Sequence, residues 1–265
     1  MCTLIILRRP GSDWPLIIGA NRDEMANRPW APPSRHWPDR PEVVAGLDRE
    51  AGGTWLGVND HGVVAGVLNR VGSLGPAQGK RSRGELVLEA IDHADAADAA
   101  GALSDLDAGA YRSFNLVVAD NRDAFWLRGR GQGWVERLAI PEGLSMLTAH
   151  ELNDSASPRI RRYLDWFRSI PAPDPGRDQW DGWKSLMASR DHDPGDGPTG
   201  AMTIITESGF GTLSSSLIAL PAPALGPRPP VWLFAPGRPD ATPFAAVDLR
   251  PKPALAPAAA QPSHA

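Results

Sequence analysis

The sequence predicts an α+β fold of two stacked antiparallel sheets covered by helices. Strand-length apolar runs crowd both ends of the chain, hairpin turns join them in place of helical crossovers, and helix-length runs lie between. Cys2 to Leu7 and Pro15 to Ala20 are short β-branched runs separated by Gly11-Ser12-Asp13, which reads as a hairpin buried on both faces. Asn21-Arg22-Asp23-Glu24 follows the second strand. A Pro- and Trp-rich stretch to about Pro41 reads as an irregular loop, because proline cannot donate to a sheet ladder.

Thr54 to Asn59 and Val63 to Leu68 flank Asp60-His61-Gly62, the clearest second hairpin. Ser82-Arg83-Gly84-Glu85 matches a capping box that opens a helix through Leu86, Leu88 and Ile91, and an Ala-rich helix follows to about Leu103. Phe114 to Ala119, Ala124 to Arg128 and Trp134 to Ala139 form a meander, and Ser145 to Thr148 adds a short strand. Ser157-Pro158 is an N-cap and first-turn pair for a helix through Ile160, Tyr163, Leu164 and Phe167, and a further helix lies around Trp180 to Ala188. Strands near Thr212 to Leu220 and Val231 to Phe234 complete a single domain over residues 1–249. The Pro/Ala-rich remainder, 250–265, is expected to be a disordered tail.

With 265 residues, 42% apolar and 22% charged, the chain can bury a substantial core. A net charge of −4 argues against nucleic acid or an anionic membrane surface as partner and leaves a small molecule. No segment has the length of a membrane span, and Leu4 to Leu7 is too short for a secretory core. One cysteine excludes an internal disulfide, which fits a cytoplasmic location. The sequence specifies no oligomeric state.

Cys2 carries the most chemistry. Removal of Met1, expected ahead of so small a side chain, leaves a free α-amine on the residue that holds the thiol. An α-amine of pKa about 7.7 to 8.0 can take the proton of a thiol of pKa about 8.5, so one residue supplies nucleophile and base. The alternative is a buried cysteine that acts as a small hydrophobe. Asn21 to Glu24 are either solvated turn residues or a paired site. The first hairpin brings them near the start of strand one, where Asp23 could hold the α-ammonium and Arg22 favour the thiolate. Asn69 closes a glycine-spaced hairpin and either takes a turn conformation or donates its amide to an oxyanion. The six histidines show no metal-ligand spacing, so no metal site is expected.

Cys2, the tetrapeptide Asn21-Arg22-Asp23-Glu24, the stretch Gly53-Thr54-Trp55-Leu56-Gly57 and Arg83-Gly84-Glu85-Leu86 resemble the ordered signatures of the NRDE protein family, over about residues 1 to 220. That family includes the transport and Golgi organisation proteins. Met1-Cys2-Thr3, Asp23 and the hairpin ending in Asn69 also resemble the choloylglycine hydrolase and penicillin V acylase group of N-terminal-nucleophile hydrolases. The resemblance implies an αββα sandwich, with Cys2 as nucleophile, Asp23 as the nearby carboxylate and Asn69 as oxyanion donor. Arg22 joins this catalytic set, and Asn21, Glu24, Trp55 and His150 are expected on the substrate side. Departures are visible: Ala20 stands where the acylases carry arginine, Ala149 and His150 where a second asparagine is expected, and Leu217 where an arginine follows the serines. The implied function is hydrolysis of a small amide or ester by thiol acyl transfer. The alternative is a non-catalytic carrier of haem or an acylated ligand. No cofactor is required, and haem, held by Cys2 or a histidine, enters only as a ligand in that alternative.

Overall fold

The computed structural model describes residues 2–251. In chain order come β1 (Thr3–Arg8), β2 (Leu16–Met25), β3 (Trp30–Ser34), β4 (Val43–Asp48), β5 (Leu56–Asn59) and β6 (Val64–Asn69). Two helices follow, α1 (Gly84–Ala90) and α2 (Ala96–Ser104), then β7 (Phe114–Ala119), β8 (Ala124–Gly129), β9 (Glu136–Ala139) and β10 (Gly143–Leu147). The chain continues through α3 (Pro158–Ser169), α4 (Asp181–Ala188), β11 (Phe210–Leu220), β12 (Val231–Ala235) and the short β13 (Ala245–Ala246). One antiparallel sheet has the order β10-β1-β2-β11-β12-β13 and the other runs β3-β4-β5-β6-β7-β8-β9.

The period of two along each strand divides the core into three layers. Leu4, Ile6, Leu16, Ile18 and Ala20 face Val44, Leu56, Val64, Leu68 and Val117 of the other sheet. Their neighbours Ile5, Leu7 and Ile17 point the opposite way, onto Ile160, Tyr163, Phe167, Trp183 and Met187 of α3 and α4. On the far side, Val43, Ala45, Val63 and Ala65 receive Leu86, Val87, Ala90, Ala99 and Leu103 of α1 and α2. The result is the αββα sandwich.

Three local expectations are corrected. Asn21 to Glu24 do not follow β2 but lie within it, because β11 pairs alongside as far as Phe210↔Met25 and completes the ladder. The Pro-rich stretch contains an edge strand, β3, where Pro32 and Pro33 sit at a register shift between Ala31 and Ser34, and β4 beside it. The capping box does not close: the Ser82 hydroxyl accepts from Gly84 N, while the Glu85 carboxylate pairs with Arg81. The expected tail begins at residue 250, and its stretch past residue 251 lies outside the described residues, as does Met1.

Two glycine-bearing motifs meet backbone to backbone. Thr54 N donates to Gly84 O at 3.2 Å, and a Cβ on Gly84 would stand 2.9 Å from Thr54 N. A Cβ on Gly53 would stand 2.7 Å from Gly84 C. Neither contact can be relieved by rotating a side chain, so this approach fixes the start of α1 against the segment that leads through Trp55 into β5. Gly84→Val is therefore expected to lower unfolding free energy by at least about 1–3 kcal/mol in urea titration. Gly101→Ala, inside α2 with only Arg137 Nη1 at 3.7 Å, should stabilise by about 0.5–1 kcal/mol.

Candidate active site

Cys2 precedes β1 on the even-numbered side, so its thiol continues the row of Leu4 and Ile6 into the space between the sheets. Arg22 continues the equivalent row of Ile18 and Ala20 on β2. Both side chains line one cavity of about 360 Å³, together with Asp23, Glu24, Trp55 and Asn69. The structure thus brings together six residues singled out in the sequence.

The Cys2 thiol donates to the Asp23 carbonyl, with Sγ 3.8 Å from the oxygen. Burial pushes the thiol up, and the Asp23 carboxylate adds to that direction; Arg22 and the hydrogen bond pull it down. Arg22 sits over the Trp55 ring, its guanidinium carbon 4.3 Å from the centroid. Burial lowers the Arg22 guanidinium, and Cys2, Glu24 and Asp48 oppose the shift.

Asp23 points to the helical side of β2. Arg159 at the start of α3 reaches its Oδ2 at 2.8 Å, and the Thr212 hydroxyl donates to Oδ1 at 2.6 Å. Arg159 also bonds the Thr3 hydroxyl, so one buried guanidinium ties the carboxylate to the strand that carries Cys2. The register of β2 and β11 shifts between Thr212 and Ser214, opposite Asp23 and Arg22, and aims Thr212 at the carboxylate. Arg159 and Thr212 escaped the sequence reading. A signal existed for Arg159, which shares the buried face of α3 with Tyr163 one turn on.

Two residues expected on the substrate side fall elsewhere. The Asn21 amide donates to the carbonyls of Met187 and Met202 at 3.0 and 2.8 Å and accepts from Ser215 at 2.7 Å. It is a buried clamp on the helical face of β2, though it also borders a small crevice behind Cys2. His150 is absent from the Cys2 cavity and lines a separate open depression with Arg70 and Glu151. The reason is Asn115 on β7, whose amide donates at 2.8 Å to the carbonyls of both Thr148 and His150 and holds that segment by its backbone. Among the described residues no cluster of three or more His, Cys, Asp or Glu could hold a metal.

Two face-to-face antiparallel sheets between helical layers, with a thiol at the head of an inner strand, define the N-terminal-nucleophile hydrolase-like fold. Solved structures agree on the fold. The N-acylethanolamine-hydrolyzing acid amidase ortholog of Caenorhabditis elegans superposes with a TM-score of 0.57 at 12% identity, over 82% of this chain and 92% of that one. Penicillin V acylase from Agrobacterium tumefaciens gives 0.50 at 12% identity, over 89% and 83%. The family model for Transport and Golgi organisation 2 matches residues 1–195, and the chain belongs to that family. It is 35% identical over 117 residues to the Transport and Golgi organization 2 homolog of Mus musculus and 36% over 109 residues to that of Homo sapiens. These matches cover 40% of this chain and 38% of the relatives' length.

The opposed influences on Cys2 have separable signs. Arg22→Gln is expected to raise the apparent thiol pKa and Asp23→Asn to lower it, both read from alkylation rate against pH. Profiles unchanged from the parent protein in both variants would assign the tetrapeptide a purely structural role. Arg159→Met leaves the Asp23 carboxylate without its buried cation and should cost about 3–5 kcal/mol in denaturant unfolding.

Proposed function

We propose that the protein hydrolyses a small amide or ester by thiol acyl transfer from Cys2. The observation that carries this reading is the convergence of the thiol, Arg22, Asp23 and Asn69 on one cavity. Burial disfavours the thiolate, so the thiol needs a local base. A free α-amine on Cys2, present once Met1 is removed, takes the proton as sulfur attacks the substrate carbonyl. Asp23, fixed by Arg159 and Thr212, holds the resulting ammonium. The Asn69 amide donates to the oxyanion of the tetrahedral intermediate. The ammonium returns its proton to the leaving amine or alcohol, and water then cleaves the thioester. Both fold neighbours are amide-cleaving enzymes by name, in keeping with this chemistry. A nucleophilic thiol also has to stay reduced, which favours a cytoplasmic setting.

The carrier reading draws less support. Close to half of the residues that line the cavity are charged, Trp55 is its one aromatic residue, and no histidine lines it among the described residues.

Intact mass of protein from its native host tests the reading first, since retained Met1 would sink it. Turnover on a panel of acyl amides and esters should be weak, accompanied by an acyl-enzyme visible by mass spectrometry, and absent in both Cys2→Ala and Cys2→Ser. Asn69→Ala should lower kcat by about 10²- to 10³-fold with little change in binding. Stoichiometric haem binding with no acyl-enzyme would favour the carrier.

A further inference from the structure

The cavity beside Cys2 is out of charge balance. Arg28 takes up three of its carboxylates, Asp48 at 2.8 Å, Glu50 at 3.4 Å and Glu24 at 4.0 Å. Asp23 is paired with Arg159, and Arg81 on the rim is paired with Glu85. Arg22, Lys80, Arg83 and Arg112 also line the wall, and none has a carboxylate at ion-pair distance among the described residues.

Three of these cations are held by dipoles, not by counter-charges. Arg83 donates to the carbonyls of Ser73 and Ser113, Arg112 to those of Gly72 and Leu74, and Lys80 to that of Gly109. A guanidinium carries five donors, and these contacts leave part of each fork unused. Burial, and then the neighbouring Arg112, lower the Arg83 guanidinium to about 10, with Cys2 and Glu24 opposing the shift. Arg22 is 6% exposed, and its Nη1 has no hydrogen-bond partner among the described residues. A buried guanidinium nitrogen without an acceptor is uncommon in folded proteins and fits an acceptor that arrives with a ligand. A cationic substrate would desolvate and repel these groups, and a neutral one would leave their charge uncompensated, whereas an anion supplies both acceptors and counter-charge.

We propose that the cavity takes amide or ester substrates that carry a compact anionic group, a carboxylate or a phosphate, and that Arg22, Arg83 and Arg112 bind this group beside the Cys2 thiol. The words amide and ester rest on the acyl-transfer reading; the anion rests on the cationic wall alone.

Iodoacetate and iodoacetamide separate the two. Both alkylate a thiolate by the same displacement, in which the sulfur–carbon bond forms as iodide leaves, and they differ in a carboxylate against a neutral amide. Cys2 is the only cysteine, so labelling reports this site. Iodoacetate labelling should saturate with concentration. Its rate relative to iodoacetamide should exceed that of free N-acetylcysteine by about tenfold or more, the worth of one charge-assisted hydrogen bond. Arg22→Gln should abolish the preference, and Arg190→Gln, which removes a cation outside the cavity, should keep it. Competition by inorganic phosphate against acetate identifies which anion the site takes. A ratio equal to that of the free thiol, with neither anion competing, overturns the proposal and leaves acyl transfer standing; saturable labelling without turnover on any acyl substrate does the reverse. Should neither reagent label Cys2, calorimetric titration with phosphate and with acetate decides. Binding lost in Arg22→Gln and kept in Arg190→Gln supports the anion site, and absence of binding by either anion overturns it.

Discussion

The alternation of side chains along β2 is the constraint on which the site depends. Ten residues of one strand carry apolar groups to both faces and then, without leaving the ladder, polar groups to the same two faces. Ile18 and Ala20 belong to the layer between the sheets, so Arg22 enters that layer too. Ile17 faces the helices, so Asn21 and Asp23 do as well, where Met187, Met202 and Arg159 meet them. A slip of one residue would turn Asn21 and Asp23 into the apolar layer and the guanidinium towards the helices. Such a slip would break every polar contact at once, which makes the register self-enforcing.

Ionic contacts around Cys2 divide into those that hold and those that face outward. Asp23 and Arg159 are buried together, an arrangement that adds little net stability but selects one geometry, because losing either partner strands a charge. Arg28 gathers the remaining carboxylates of the cavity on one wall. The thiol sits between, disfavoured as a thiolate by its burial and by Asp23, and relieved by Arg22. The charges that act on the thiol, Arg22 and Asp23, are both placed by β2, and α3 supports the second through Arg159.

Much of this was legible in the sequence, and the limits have physical causes. Hairpins with turn residues, helices with apolar periodicity and the signature motifs located most elements and put Cys2, Arg22, Asp23 and Asn69 in one place. The end of β2 was hidden because its ladder partner, β11, lies nearly 200 residues downstream and only pairing keeps charged residues in a strand. The Ser82 to Glu85 capping pattern failed because Arg81 competes for the same carboxylate. His150 was misplaced because Asn115, a lone polar residue in an apolar strand, draws the segment's carbonyls to itself. Its partners are non-local, and no spacing rule announces them.

Arg83 and Arg112 grip the stretch from Gly72 to Pro76 through main-chain oxygens. At Leu74, which is exposed and held by its carbonyl, that clasp is indifferent to the side chain, whereas Gly72 and Gly75 have φ of +76° and +75° and the buried Ser73 hydroxyl bonds Arg70, Arg83 and Ser113. Leu74 can therefore change while the segment is still drawn to the same rim, beside the cavity that Cys2 lines. Change at this one rim position is thus uncoupled from foldability, while its neighbours keep the main chain in place.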